Sequence, residues 1–232
     1  MPYRRLPNTD TTRLKALKTV IDNNSLYTVN NRIIDWAILN RLQPAYTRLS
    51  NAIRQYKANL EVQKKASFKI EPLEKKAIMY LSHFLRVLFM ATDRNEIKPQ
   101  KMDIYGLSAS KRIIPKFNTP ESVISWGHKI IEGEKLRIKQ GGLPIYNPSI
   151  GKVATQLAVF EDAYNEQQLR IKQTYQAIDL LKKIRPEIDE IIFELWNQIE
   201  EHFANEPLET RYTECRKLGV TYYYRRHEEH LY

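Results

Sequence analysis

Ile70-Glu-Pro-Leu-Glu-Lys-Lys-Ala-Ile-Met-Tyr-Leu-Ser-His-Phe-Leu-Arg-Val-Leu-Phe89 returns 114 residues later as Ile184-Arg-Pro-Glu-Ile-Asp-Glu-Ile-Ile-Phe-Glu-Leu-Trp-Asn-Gln-Ile-Glu-Glu-His-Phe203. Five of the 20 aligned positions are identical: Ile70/Ile184, Pro72/Pro186, Ile78/Ile192, Leu81/Leu195 and Phe89/Phe203. Three basic residues of the first copy, Lys75, Lys76 and Arg86, align with the acids Asp189, Glu190 and Glu200. Ile78, Leu81, Leu85 and Phe89 step by three and four, which puts them on one face of a helix. A helical pattern that recurs marks a repeated packing unit, so the stretch predicts an all-α fold.

Working outward, Pro72 predicts a helix start, because a first-turn proline removes no donor that the helix uses. Ahead of it, Ile34, Ile38, Leu42, Tyr46, Leu49, Ile53, Tyr56 and Leu60 predict a helix from about Asn31 to Lys65. Pro44 is expected to kink or bound that helix near Asn40. Asn8, Thr9 and Asp10 supply caps for a shorter first helix through Leu14, Leu17, Val20 and Ile21. In the second half, Thr119-Pro120-Glu121 sets a capping hydroxyl, a first-turn proline and an acid in order, and Gly141-Gly142 ends the segment. Asn147-Pro148 predicts the cap of a long helix through Val153, Leu157, Phe160, Tyr164, Ile171 and Tyr175, and Pro186 opens the second copy of the repeat.

Each half then holds a long helix, a short turn and a proline-started return helix. Two related αα-hairpins of this kind bury their apolar stripes against each other, in a four-helix-bundle-like core with extra short helices. The expected divisions are 1–92 for the first helix and hairpin, 93–118 for a connector with a helical turn near Gln100 to Ile104, 119–206 for a helix and the second hairpin, and 207–232 for a short helix and a tail, all within one compact domain. In the tail, Val220-Thr-Tyr-Tyr-Tyr224 is β-prone and needs a strand partner. Tyr3 to Leu6 is the extended piece that supplies one, giving a small β-ribbon from the termini. Pairing of that edge with another chain is the competing use.

Composition limits the chemistry. Seven glycines leave few sites for phosphate-cradling loops, and no Gly-x-x-x-x-Gly-Lys, Gly-x-Gly-x-x-Gly or Gly-x-Ser-x-Gly motif occurs. Carboxylate-bridged metal sites in bundles need a Glu three residues before a His. Tyr80, Ser125 and Ile199 stand there for His83, His128 and His202. His227-Glu228-Glu229-His230 lacks the zinc-protease spacing and reads as solvated tail. Cys215 has no base beside it in sequence and reads as a structural thiol, and a lone cysteine fits a reducing compartment, the cytoplasm. Glu187, Asp189, Glu190, Glu194, Glu200 and Glu201 read as a solvated or ion-paired helix face. The N-terminus carries charge without a following apolar run and is not expected to be a secretory signal; no segment has the length and apolarity of a membrane span. No catalytic residue, cofactor or metal is expected.

The basic surplus has more functional reach. The net charge is +10, with 26 basic against 12 acidic residues over 1–150 and 6 against 12 over 151–210. Arg4, Arg5, Arg13, Lys15 and Lys18, then Arg41, Arg48, Arg54 and Lys57, then Lys75, Lys76 and Arg86, and in the connector Lys98, Lys101, Lys111, Arg112 and Lys116 are candidates to bind an anionic partner such as a nucleic-acid backbone. Tyr105, Phe117 and Tyr222 to Tyr224 are candidates to stack on bases. The competing reading pairs these cations with the acidic second hairpin, within the chain or between copies.

Tyr3-Arg-Arg-Leu-Pro-Asn-Thr-Asp10, Trp126-Gly-His-Lys-Ile-Ile-Glu-Gly-Glu134, Asn147-Pro-Ser-Ile150 and Leu218-Gly-Val-Thr-Tyr-Tyr-Tyr224 resemble a family of uncharacterised helical proteins from Bacteroidetes-type bacteria. The resemblance implies a cytoplasmic helical fold and carries over no functional residue. The residues together point to a non-enzymatic helical scaffold or protein-interaction module that engages a protein partner or itself. A nucleic-acid-binding protein using the basic first 150 residues is the alternative.

Overall fold

Thr9 and Thr12 each take a backbone N–H on a side-chain oxygen, Thr12 N on Thr9 Oγ1 at 3.2 Å and Thr9 N on Thr12 Oγ1 at 3.1 Å. This reciprocal cap satisfies two of the donors that a helix start leaves open and begins α1, Asp10–Asn24. The computed structural model describes residues 3–24, 33–108 and 112–224. Among these, α1 is followed by α2 (Trp36–Asp93), a 3-10 helix (Pro99–Tyr105), α3 (Pro120–Lys139), α4 (Ile150–His202) and α5 (Leu208–Lys217). The fold is all-α, with one small antiparallel ribbon in which β1 (Tyr3–Arg4) pairs with β2 (Tyr222–Tyr223). Tyr3 lies opposite Tyr223 and Arg4 opposite Tyr222, and Arg5 N extends the pairing to Thr221 O at 3.0 Å. The β-prone tail thus finds its partner in the expected segment of the same chain.

The start of α3 also follows the sequence. Thr119 accepts from Ser122 N while Ser122 Oγ accepts from Thr119 N, both at 3.2 Å, with Pro120 in the first turn. The start of α4 does not. Asn147 was the expected cap, but the residue that receives the first-turn N–H of Lys152 is Ser149, through its carbonyl at 3.0 Å and its hydroxyl at 3.4 Å.

The larger correction concerns the prolines. The turns expected before Pro72 and Pro186 do not form, and no boundary falls at Asn40: α2 runs through Pro44 and Pro72, and α4 through Pro186. All three prolines are exposed, as are Asn40, Phe68 and Lys182 four residues before them, whose carbonyls lose their helical donors. Water can take those carbonyls on the solvent side of a helix, which is why a proline there is tolerated. The opposite face keeps its apolar series unbroken, Ile38, Leu42, Leu49 in α2 and Ile184, Ile188, Ile191, Leu195, Ile199 in α4, each at most 6 % exposed. Burial of each such side chain contributes roughly 1.5–3 kcal/mol, and several together outweigh the proline.

The chain forms two compact units, residues 1–60 with 173–232 and residues 61–172. Their boundaries fall inside α2 and α4 rather than in a loop. In the first unit, Leu17 and Val20 of α1, Leu42 and Leu49 of α2, Leu195, Trp196 and Ile199 of α4 and Cys215 of α5 share one core. In the second, Leu81, Phe84 and Leu85 of α2, Met102 and Tyr105 of the 3-10 helix, Ile130 of α3 and Leu157 and Phe160 of α4 share the other. The two copies of the repeat are therefore buried in different cores. Ile70, Ala77, Leu81 and Leu85 are buried in one core and their counterparts Ile184, Ile191, Leu195 and Ile199 in the other.

Close packing of α3 on α4 depends on Gly127, where an added Cβ would sit 2.5 Å from Leu157 Cδ2. Among the described residues, no helix is long and apolar enough to cross a membrane. Because Pro186 is exposed and its ring blocks one backbone bond, Pro186→Ala is expected to raise stability by about 1–3 kcal/mol. Urea unfolding followed by far-ultraviolet circular dichroism checks this, as a higher midpoint than wild type.

Candidate functional site

The charged residues singled out in the sequence divide sharply once placed. In the first unit, Arg13 is buried and holds Asp189 with two parallel bonds, Nε to Oδ1 at 2.7 Å and Nη2 to Oδ2 at 2.8 Å. Arg185 holds Asp10 in the same way, at 2.8 Å for both bonds. Arg48 reaches Glu187 at 2.7 Å, and Arg41 lies 3.5 Å from Glu194 and 3.8 Å from Glu190. Arg4 bonds Glu200 at 3.0 Å and Asn197 at 2.7 Å, with its guanidinium over the Phe193 ring. Glu187, Asp189, Glu190, Glu194 and Glu200 of α4 are thus ion-paired, by Arg48, Arg13, Arg41 and Arg4, while Glu201 is exposed.

The remaining candidates lie elsewhere. Lys75 pairs with Glu71 one turn away and Arg112 with Asp93, while Asp189, the acid aligned with Lys75, is held by Arg13. Arg5, Lys15, Lys18, Arg54, Lys57, Lys76, Lys98, Arg86 and Lys116 are exposed and have no carboxylate partner among the described residues. Lys101 donates to Gln140. Lys111 and the His227 to His230 tail lie outside the described residues. Of the proposed stacking residues, Tyr105 is a correction: it is fully buried and cannot stack on a base. Tyr222 is half-buried and donates to Glu200 at 2.5 Å. Cys215 is buried, and burial pushes its thiol above the ordinary range, which makes it an inert thiol rather than a nucleophile.

The second unit holds an arrangement that the sequence reading missed. Glu134 and Arg137 are one turn apart on α3 and, with Tyr105 from the 3-10 helix, form a cluster in which no member is more than 4 % exposed. Arg137 donates through Nε to Glu134 Oε2 at 2.9 Å and through Nη2 to Glu134 Oε1 at 2.7 Å. Tyr105 donates to Glu134 Oε2 at 2.5 Å and accepts from Arg137 Nε at 2.9 Å. Burial, with the adjacent Glu134 carboxylate, raises the Tyr105 phenol and keeps it neutral; the Glu134 carboxylate holds the Arg137 guanidinium charged. Gly133 makes room for the phenol, since a Cβ there would lie 2.7 Å from the Tyr105 ring.

Two further bonds leave this cluster for the loop between α3 and α4. Arg137 Nη2 donates to Leu143 O at 2.7 Å, and Glu134 Oε1 accepts from Ile145 N at 3.2 Å. Gly141, at φ +87°, turns the chain out of α3, and Gly142 lies against Arg137, where a Cβ would approach the Arg137 carbonyl to 2.9 Å. The pinned loop buries Ile145 but leaves Leu143 82 % and Tyr146 78 % exposed. Both line a cleft of about 450 Å³ whose other walls include Val87, Ala91 and Ile97, with the Arg94–Glu96 ion pair among its lining residues. This is a recess of mixed lining, apolar at Val87, Ala91 and Ile97 and charged at Arg94 and Glu96, with two large outward side chains on a backbone held by buried charge. The signals in the sequence were the Glu134-x-x-Arg137 spacing and the Gly141-Gly142 exit.

Among the described residues, no group of three His, Cys, Asp or Glu side chains is placed to hold a metal ion. Compared with protein-family models, curated proteins and solved structures, the chain matches none.

Removing one partner of a buried ion pair strands the other charge, so Arg137→Ala is expected to cost about 3–5 kcal/mol, while the double change Glu134→Met with Arg137→Met removes the stranded charge and recovers only part of it, because the Tyr105 hydroxyl and Ile145 N–H lose their partners. Thermal unfolding of the two variants separates these outcomes. Asp10 gives a pH dependence of defined sign. The hydrogen bonds from Arg185, then its charge and that of Arg13, hold the Asp10 carboxyl below its usual 3.8. A depressed folded value contributes stability above the unfolded value that is lost as pH falls through the folded one. Asp10→Asn is therefore expected to be less stable near neutrality and to lose less stability than wild type on acidification below about pH 4, read as unfolding midpoints across a pH series.

Proposed function

We propose that the protein is a non-enzymatic helical scaffold that docks a protein partner on the α3–α4 loop. The observation that carries this reading is the pairing of a rigid backbone with exposed apolar anchors. Leu143 and Tyr146 project from a loop whose main chain is bonded to a buried carboxylate and a buried guanidinium. An ordinary surface loop does not need such fixing. A desolvated ion pair costs several kcal/mol per charge before its attraction returns it, and a pre-set loop lowers the ordering cost of binding. Tyrosine is also among the residue types that dominate interface energetics.

Binding to a nucleic-acid backbone, the alternative, is less well supported. Four of the cations it would use, Arg4, Arg13, Arg41 and Arg48, are engaged by carboxylates of their own unit.

The test is a photo-crosslinking amino acid placed at position 146 in the full chain in its native cells. A discrete adduct on illumination, lost when Leu143→Ser is added, is the expected result; an adduct at twice the chain mass identifies a second copy as the partner. No adduct, or one indifferent to Leu143→Ser, overturns the reading. Leu143→Ser leaves the buried cluster intact and is expected to change stability by less than about 0.5 kcal/mol.

A further inference from the structure

The first unit holds a second recess with a different chemistry. It has a volume of about 610 Å³ and lies between the start of α1, the turn after α5 and the terminal ribbon. Three of its lining residues are cations, Arg5, Lys15 and Arg216, and none is an acid. All three are exposed and without a carboxylate partner among the described residues, in a unit where Arg4, Arg13, Arg41, Arg48 and Arg185 all have one. The same lining carries an aromatic wall: Arg5 is set over the Tyr223 ring at 5.2 Å, and Tyr223 is 43 % exposed. Trp196 and Val220 add an apolar floor.

The recess is built from segments far apart in the chain. Ribbon pairing places Arg5 beside Thr221, while Gly219 at φ +92° brings the end of α5 against α1. A Cβ on Gly219 would lie 3.2 Å from Thr19 Cβ. The turn is closed by Gly219 N to Arg216 O at 3.0 Å and Val220 N to Cys215 O at 3.0 Å, which fixes Arg216 at the end of its helix. Lys15 is brought in from α1, one turn before Thr19.

From this we infer that the recess is a binding site for a small organic phosphate, a phosphate monoester carrying a planar or apolar body. Guanidinium groups match phosphate oxygens in pairs, and an ammonium adds a point charge. A lining of three positive charges and no negative one favours a dianion over a singly charged carboxylate. A monoester carries about −1.5 to −2 near neutrality. Tyr223 and the apolar floor then take the organic body, and the volume lies in the range of small-molecule sites, about 300–1,000 Å³. The site takes one phosphate group in a recess, which is a different demand from tracking a nucleic-acid backbone. It is also independent of the α3–α4 loop.

Isothermal titration calorimetry of the full chain at low salt tests this, with phenyl phosphate as the probe and inorganic phosphate and succinate as comparisons. Phenyl phosphate is expected to bind saturably at one site, about tenfold tighter than inorganic phosphate because its ring is also buried. Lys15→Gln and Arg216→Gln are each expected to weaken it about tenfold. Arg54→Gln, which removes an exposed cation outside the recess, is the control expected to change nothing. All three substitutions are at exposed positions, and unchanged circular dichroism confirms that each variant is folded. Absence of saturable heat up to about 10 mM phenyl phosphate would overturn the inference. Equal loss in Arg54→Gln would show general charge attraction instead, and succinate binding as tightly as phenyl phosphate would reject the phosphate assignment.

Discussion

Burial of an apolar stripe of α2 and of α4 in each unit is the constraint on which the other features depend. On α2 the stripe runs from Ile38 to Ala52 in the first unit and from Ile70 to Ala91 in the second, with no buried residue over 53–69. That burial overrides three helix-interior prolines, all of which sit on the exposed side. It also fixes which faces are left for charge. With the stripe turned inward in the first unit, Glu187, Asp189, Glu190 and Glu194 fall within reach of Arg48, Arg13 and Arg41. The exposed pairs of Arg41 and Arg48 follow from the packing and do not drive it, since such pairs contribute only about 0.2–1 kcal/mol each.

Helix periodicity was legible from the sequence because Leu81, Leu85, Leu195 and Ile199 are apolar for the same reason that they are buried. The caps at Thr9 and Thr119 were legible too, since a hydroxyl before a helix has a local role that needs no tertiary context. Pro72 and Pro186 were misread because the same residue that starts a helix can also ride on its solvent face, and the difference lies in which side of the helix faces water. Which core each copy of the repeat joins was not legible for a related reason. A shared apolar face tells that a helix is buried, and carries no information on which neighbour buries it.

The sites were less legible. Glu134 and Arg137 looked like one more surface pair on a charged helix. What makes them different is their burial beside Tyr105, and that depends on Gly133 and on a 3-10 helix nearly thirty residues earlier. Arg5, Lys15 and Arg216 come from three separate elements, and no spacing in the chain links them. The composition showed an excess of positive charge; the structure sorts it into cations paired with carboxylates, several of them on α4, and cations left facing solvent. Only among the second group can an anionic ligand be sought without displacing an existing partner.

The first unit is assembled from both ends of the described chain, and the second from the uninterrupted stretch between them. Arg13 meets Asp189 across 176 residues, and Tyr3 meets Tyr223 across the whole of the second unit. During synthesis, the second unit has all its own residues available once position 172 has emerged. The core of Leu17, Leu42 and Leu49 meanwhile lacks the α4 and α5 residues that complete it, Leu195, Trp196, Ile199 and Cys215 among them. Contacts this distant in sequence close slowly, and apolar surface left open in the interval invites association with other chains. The order of emergence from the ribosome therefore makes the N-terminal segment the stretch most in need of protection while the protein is being made.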